Sequence, residues 1–313
     1  MKSIIKVLIT GGSGMVGKNI LEHPHAARFD ILHPTREKLD LMKIDLVEEY
    51  IRYHKPDIVI HAAGLVGGIQ ANLENPLRFL DENMTIGRNV ITTSFKVGIR
   101  SLLNLGSSCM YPSEANNPLT EDQLLSGPLE KTNEGYAIAK LVSLKLCQYI
   151  NNLGGELNYK TLIPCNLYGK YDYYQSNRSH FIPAIIQKIH YAKLNGINTV
   201  NVWGDGKSKR EVMFAGDFAE LVWNAVDNLG ILPNIMNIGV GKDLSVVQYY
   251  EIISDIIKWQ GKLDFDKSKP NGMRQKLCST KHQQILGWTT KTSLQTGLEL
   301  TYNSFLEENY AKV

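Results

Sequence analysis

Tyr136 and Lys140 stand four residues apart in EGYAIAK, a spacing that puts both side chains on one face of a helix. A phenol with an ordinary pKa of about 10 exchanges protons poorly near neutrality, and a neighbouring ammonium stabilises its phenolate. Ser107, in NLGSSCMYP, lies where a predicted strand ends. Its hydroxyl is suited to hydrogen-bond the same carbonyl oxygen that the phenol would protonate. The carboxyl ends of parallel strands are also where such sheets bind ligands. Tyr-x-x-x-Lys alone is common by chance, so the weight rests on the combination with Ser107 and a glycine loop upstream.

That loop is VLITGGSGMVGKNI, with Gly11, Gly14 and Gly17 between the first predicted strand and the first helix. Glycines here allow a tight turn, close backbone approach to a pyrophosphate and tight packing of helix on strand. Met15 and Val16 open a helix whose free N–H groups suit an anion. Arg36, in HPTREKLD, follows the second predicted strand and is a cation suited to a 2′-phosphate. Asp30 lies too early, inside the strand, to reach a ribose. The cofactor expected is therefore NADP(H).

Short β-branched runs alternate with amphipathic stretches through the first half, the pattern of a parallel sheet covered by helices. Strands are predicted at 4–10, 29–32, 57–61, 101–105 and 160–164, and helices at 15–21, 45–54, 77–97 and 133–152. A Thr-Asn-Glu cap signal opens the last helix. The expected fold is a doubly wound α/β core. Regularity fades after Cys165, with a helix near Phe181 and a strand at 200–203, and resumes with a helix at 217–228 and a strand at 235–238. This predicts a core of residues 1–165 plus about 214–240, and a discontinuous second lobe of about 166–213 plus 241–313.

Composition narrows the function classes. The 313 residues are 43% hydrophobic and 21% charged, with a net charge of +3, which is ordinary for a globular protein and too small to imply nucleic acid. No stretch is long and apolar enough to predict a membrane span, and MKSIIKVLITGG lacks the apolar run of a secretory signal, so the expected compartment is the cytoplasm. Cys109, Cys147, Cys165 and Cys278 form no C-x-x-C pair, which predicts free thiols and no metal site.

TGGSGMVG, HAAGLVGGI, GSSCMYP, YAIAK and NLYG resemble the extended short-chain dehydrogenase/reductase family. SNRSHFIPA, VWGDGKSKRE, SKPNGMRQKL and a C-terminal LGW extend the resemblance over nearly the whole chain. It is closest to the epimerase-reductase branch, which turns GDP-4-keto-6-deoxy-D-mannose into GDP-L-fucose. The resemblance implies a Rossmann-type doubly wound parallel sheet with a smaller C-terminal α/β substrate lobe. It implies that Ala62, Ala63 and Gly64 line the cofactor with the glycine loop, and that Lys140 also binds the cofactor ribose. Tyr136 and Ser107 would act at the C4 carbonyl, while Cys109 and His180 would move protons at C3 and C5.

A free thiol is only a few per cent ionised at pH 7, so Cys109 needs a proton acceptor or a positive field, expected from Lys140 and the cofactor. By motif position Arg210 and Lys276 would meet the substrate diphosphate, Trp203 the guanosine or sugar, and Asn166 the nucleotide sugar. The resemblance also implies a homodimer through helices including 136–152. Ser13 stands where relatives often carry a basic residue, and VMFAGD departs from the usual run after Arg210. Ser108 and Cys109 replace the Asp-Glu pair of sugar-nucleotide 4,6-dehydratases, so loss of water is not expected. Related enzymes act on GDP-4-keto-3,6-dideoxymannose, giving GDP-L-colitose, or on GDP-6-deoxyheptoses. A binding-only role on this fold predicts loss of the Tyr136–Lys140 pair, yet both residues are present.

Overall fold

The computed structural model describes residues 4–175, 179–269 and 272–310; residues 176–178 of SNRSHFIPA and 270–271 of SKPNGMRQKL lie outside them. In the first half the chain runs β1 (Lys6–Thr10), α1 (Met15–Glu22), β2 (Asp30–Leu32), α2 (Ile44–His54), β3 (Ile58–His61), α3 (Ile69–Glu74), α4 (Pro76–Lys96), β4 (Ser101–Leu105), α5 (Glu134–Asn152) and β5 (Asn158–Pro164). It continues through β6 (Asn166–Tyr168), α6 (Phe181–Leu194), β7 (Thr199–Trp203), β8 (Lys209–Arg210), β9 (Val212–Phe214), α7 (Ala215–Asp227) and β10 (Ile235–Ile238). The remainder is β11 (Leu244–Ser245), α8 (Val246–Ile257), β12 (Lys262–Asp266), β13 (Gln275–Lys276) and α9 (Leu294–Tyr310).

Six parallel strands form the main sheet in the order β10-β5-β4-β3-β1-β2. Alternation along each strand sends side chains to two helical layers. Val7, Ile9, Ile58, Ile60, Leu103 and Leu105 join a core with Ile20 of α1 and Phe218 and Trp223 of α7. Leu8, Val59 and Leu102 face the other way, onto Val47 and Ile51 of α2, Val90 and Ile91 of α4 and Cys147 and Ile150 of α5. Trp223 is fully buried, stacks on Phe29 and donates its indole N–H to Ile20 O at 2.9 Å. Burying a side chain of that size contributes about 3 kcal/mol, and its satisfied N–H avoids the cost of an orphaned donor.

The sheet is wound in opposite directions on either side of the β1/β3 boundary, which opens a crevice beyond the carboxyl ends of those strands. His61 ends β3 beneath it, buried, with Nδ1 2.8 Å from the Thr10 hydroxyl. Burial, aided by the Lys140 charge, holds its pKa down at about 3, so the ring is neutral and serves to tie the two strand ends together.

A second core gathers Ile182, Ile186 and Ile189 of α6, Val200 and Val202 of β7, Tyr249 and Ile253 of α8, and Leu298 and Phe305 of α9. Its strands pair in small sheets: β12 with β7, β6 with β9, and β8 between β11 and β13. Between the two cores the chain crosses after β5, returning through α7 to β10 at the sheet edge.

Candidate active site

The glycine loop fits a dinucleotide by its backbone. Gly11 has φ +75°, and a Cβ there would lie 2.7 Å from the Ala63 backbone, so only glycine lets the loops after β1 and β3 meet. A Cβ on Gly17 would lie 2.2 Å from Gly11 O, inside contact distance. Gly14 caps α1 without any side chain, leaving the helix N-terminus at Met15, Val16 and Gly17 open to an anion. Across the crevice a Cβ on Gly64 would meet Asn83 Oδ1 at 2.9 Å and Lys140 Nζ at 3.7 Å. Asn83 fixes that segment by accepting from Leu65 N and donating to Leu65 O and Phe79 O. Arg36 is exposed in the turn after β2, while Asp30 opens β2 and pairs with Lys6 at 3.9 Å.

Tyr136 and Lys140 descend from the first turns of α5 to the end of β4. Lys140 is buried, donates to Leu105 O at 2.9 Å and lies 5.9 Å from the Tyr136 ring centre. Burial lowers its pKa to about 8. The Tyr136 phenol differs from the expectation of a stabilised phenolate: burial and then the nearby Cys109 push its pKa up, against a hydrogen bond from Ser107 that pulls it down. Lys140 spends its contact on a carbonyl and its charge does not outweigh desolvation. The phenol therefore stays protonated, which suits a donor. Ser107 caps the single 3-10 turn 108–110 by accepting from Cys109 N at 3.2 Å. One short turn thus holds Ser107 and Cys109 side by side.

Cys109 is partly exposed, whereas Cys147, Cys165 and Cys278 are buried and all four are free. Two nitrogens reach its sulfur: Asn133 Nδ2 at 3.3 Å and Lys276 Nζ at 3.6 Å. Asn133 is the residue of the cap signal, and its side chain makes no cap bond on α5 because it turns to the thiol. Lys276, expected at the substrate diphosphate, points into the same cluster.

The remaining substrate candidates line the second lobe. Arg210 Nη1 donates to Lys209 O and Met273 O at 2.7 Å each, and burial lowers its pKa, with Cys109 and Glu130 pulling it back. Asn166 donates to Glu211 O at 3.0 Å. Trp203 is 39% exposed between two ammonium groups, Lys188 Nζ at 5.7 Å and Lys269 Nζ at 5.5 Å from its ring centre. His180 precedes α6 without capping it, and burial lowers its pKa. Its neighbour Ser179 abuts the loop after β3, where a Cβ on Gly68 would lie 2.7 Å from Ser179 O.

Residues 7–239 match the model of the NAD dependent epimerase/dehydratase family. The chain belongs to that family. It is 47% identical over 304 residues to a GDP-L-colitose synthase of Yersinia pseudotuberculosis, covering 97% of this chain and 99% of the relative. It is 48% identical over 304 residues to a GDP-L-fucose synthase of Azorhizobium caulinodans, covering 97% of each chain. Among solved structures it superposes on a GDP-mannoheptose C4 reductase from Campylobacter jejuni with NADP bound. There the TM-score is 0.86 and identity 28%, over 97% of this chain and 99% of the other.

Within this epimerase/dehydratase scaffold, four contributions escaped the sequence reading. Asn133 and Lys276 meet Cys109 from distant segments, and Lys188 lies over the face of Trp203. Glu211 is fully buried and accepts backbone N–H groups of Val240, Gly241 and Cys278 at 2.6–2.8 Å, clamping the strands that carry Arg210 and Lys276. The one local signal was an acidic residue inside KSKRE, next to a cation it does not pair with through its side chain.

Proposed function

We propose that this chain is an NADPH-dependent epimerase-reductase of a GDP-4-keto-6-deoxy sugar, converting GDP-4-keto-6-deoxy-D-mannose to GDP-L-fucose. The observation that carries the reading is that two sets of groups meet at the end of β4. Tyr136, Lys140 and Ser107 suit a carbonyl oxygen, and Cys109, two residues beyond Ser107, suits a hydrogen on an adjacent carbon. The names of the relatives support the GDP-sugar, and the NADP-bound neighbour supports the cofactor.

A ketone at C4 acidifies the hydrogens at C3 and C5. Cys109 and His180 remove and return those protons on opposite faces, and the electron pair is held meanwhile as an enolate whose oxygen faces Ser107. Gly11, Gly14, Met15, Val16, Gly17, Ala62, Ala63 and Gly64 hold the cofactor, with Arg36 for its 2′-phosphate and Lys140 for its ribose. When bound, NADPH supplies the hydride that reduces C4. Tyr136 gives the proton to the C4 oxygen, and Ser107 polarises that oxygen beforehand. Arg210, Trp203 and Asn166 hold the GDP portion.

Residues 1–165 with about 214–240 form the cofactor part, and about 166–213 with 241–313 the substrate part. The sugar-nucleotide names favour one second reading, the same chemistry on a 3,6-dideoxy sugar or a heptose. Purified protein with GDP-4-keto-6-deoxymannose should consume one NADPH per sugar reduced. No NADPH oxidation with any of the three sugars would overturn the reading.

Lys140 also sets a pH dependence. Its ammonium is present below about pH 8 and is lost as pH rises through that value. Because kcat/KM reports groups of the free enzyme, kcat/KM for NADPH oxidation should fall on the alkaline side of about pH 8. A profile flat to about pH 10, the ordinary lysine range, would contradict this role.

A cytoplasmic homodimer completes the reading. The four free thiols support a reducing compartment. An apolar groove on α5, lined by Leu125, Ile138, Leu141, Val142 and Tyr149, supports a partner helix pair. Sedimentation decides between monomer and dimer. No helix among the described residues is long and apolar enough to cross a membrane.

A further inference from the structure

The geometry points to Lys276 as the positioning residue that holds Cys109 as a thiolate and so makes it the proton-removing member of the pair; this rests on the epimerase reading above. Lys276 is only 8% exposed, and among the described residues its Nζ pairs with no carboxylate. Its hydrogen-bond partner is the Cys109 sulfur at 3.6 Å. Burying a lysine away from both water and an acid is costly, and an anionic sulfur is the neighbour that offsets the cost. Asn133 Nδ2 approaches the same atom at 3.3 Å, so an ammonium and an amide N–H both present hydrogens to it. A thiolate accepts such hydrogen bonds far better than a neutral thiol, because charge-assisted bonds are about twice as strong.

The surroundings fix the arrangement. Parallel pairing of β13 with β8 sets Lys276 beside Arg210, and Glu211, next to Arg210 in sequence, accepts from Cys278 N just after β13 and from Val240 N after β10. Arg210 also feels the Cys109 charge, but its Nη1 donates to two carbonyls, which leaves Lys276 as the cation in hydrogen-bond contact with sulfur. Tyr136 also faces Cys109, and it remains a neutral phenol.

In the reaction, the thiolate takes a proton from the carbon next to the ketone, and the C–H electron pair moves into the enolate. Sulfur becomes a thiol, Lys276 keeps its proton, and His180 returns a proton on the opposite face. The thiol then loses its proton to solvent, which restores the thiolate. Lys276 gains and loses nothing; it favours the anionic start of each cycle.

The test is alkylation of Cys109 by iodoacetamide at pH 7, followed by mass mapping, because the other three cysteines are buried. Lys276→Gln should slow alkylation by about tenfold, as expected for a reduced thiolate fraction. Lys276→Arg should keep most of the rate, and Asn133→Ala should slow it less than Lys276→Gln does. Exchange of sugar hydrogens with solvent should lose kcat in Lys276→Gln, with the KM for the GDP-sugar changed less. Unchanged alkylation in Lys276→Gln, together with a raised KM, would overturn the inference and make Lys276 a diphosphate ligand only. Alkylation needs no sugar, so it decides the role of Lys276 even if the proposed substrate fails.

Discussion

Tyr136→Phe should abolish NADPH oxidation, by about 10³-fold or more, while solvent exchange at the sugar carbons continues. Loss of a positioned general acid typically costs 10²–10⁴-fold. Here desolvation raises the pKa of the phenol, which keeps its proton near neutrality and makes it the acid held at the end of β4. Ser107 remains to hydrogen-bond the C4 oxygen, and Cys109 keeps its contacts with Asn133 and Lys276, none of which involves the phenol. Exchange therefore proceeds to the enolate and back. Stopped-flow absorbance of NADPH alongside NMR of the sugar in deuterated water checks both halves. An unchanged reduction rate would remove Tyr136 from its role.

Cys109→Ser should do the reverse, lowering exchange at C3 and C5 by about 10²–10⁴-fold, the range for a lost general base, while NADPH binding is unaffected. A serine hydroxyl is far less acidic than a thiol. The two donors on residue 109 do not make it an alkoxide near neutrality. The cofactor loop is built from Gly11, Gly14, Gly17 and the segment after β3, all of which leave Cys109 untouched. Fluorescence titration with NADPH and deuterium wash-in give the two readings. Full exchange in the serine variant would assign proton removal elsewhere, with His180 next in line.

These effects separate because the reductive and epimerising groups reach the site by different routes, and the sequence exposes those routes unequally. Tyr136 and Lys140 are one helical turn apart, and Ser107 follows a strand whose bounds, 101–105, were as expected. Gly11, Gly14 and Gly17 are likewise local, and their turn can be inferred without knowing any distant partner. Cys109 stood out as a residue type in need of a positive field, but the field comes from Lys276, 167 residues away, and the second donor is Asn133, 24 residues away. Neither pairing has a local spacing to reveal it.

The sheet elements that deliver Lys276 are two residues long, β8, β11 and β13, too short for any alternation to register. Their register is held by the buried Glu211 carboxylate on backbone N–H groups, a clamp that depends on the finished fold. The longer elements of the same lobe, α6 and β7, were legible near the predicted positions because each carries a full period of apolar residues. Asn133 shows the limit of local rules in the other direction. Its position before α5 fits a helix cap, but the helix start is left uncapped by that side chain, which serves the thiol instead.

The central claim is that one site exchanges hydrogens beside a ketone and then reduces that ketone. The most direct test is to run the reaction with GDP-4-keto-6-deoxymannose and NADPH in deuterated water and to determine the product by NMR and mass. The account predicts GDP-L-fucose carrying deuterium from solvent at both C3 and C5, with unlabelled hydrogen delivered to C4. Label at C5 alone would favour the 3,6-dideoxy type of reaction. A product reduced at C4 with no solvent deuterium at either carbon would contradict the account, leaving a reductase whose Cys109 and His180 move no protons.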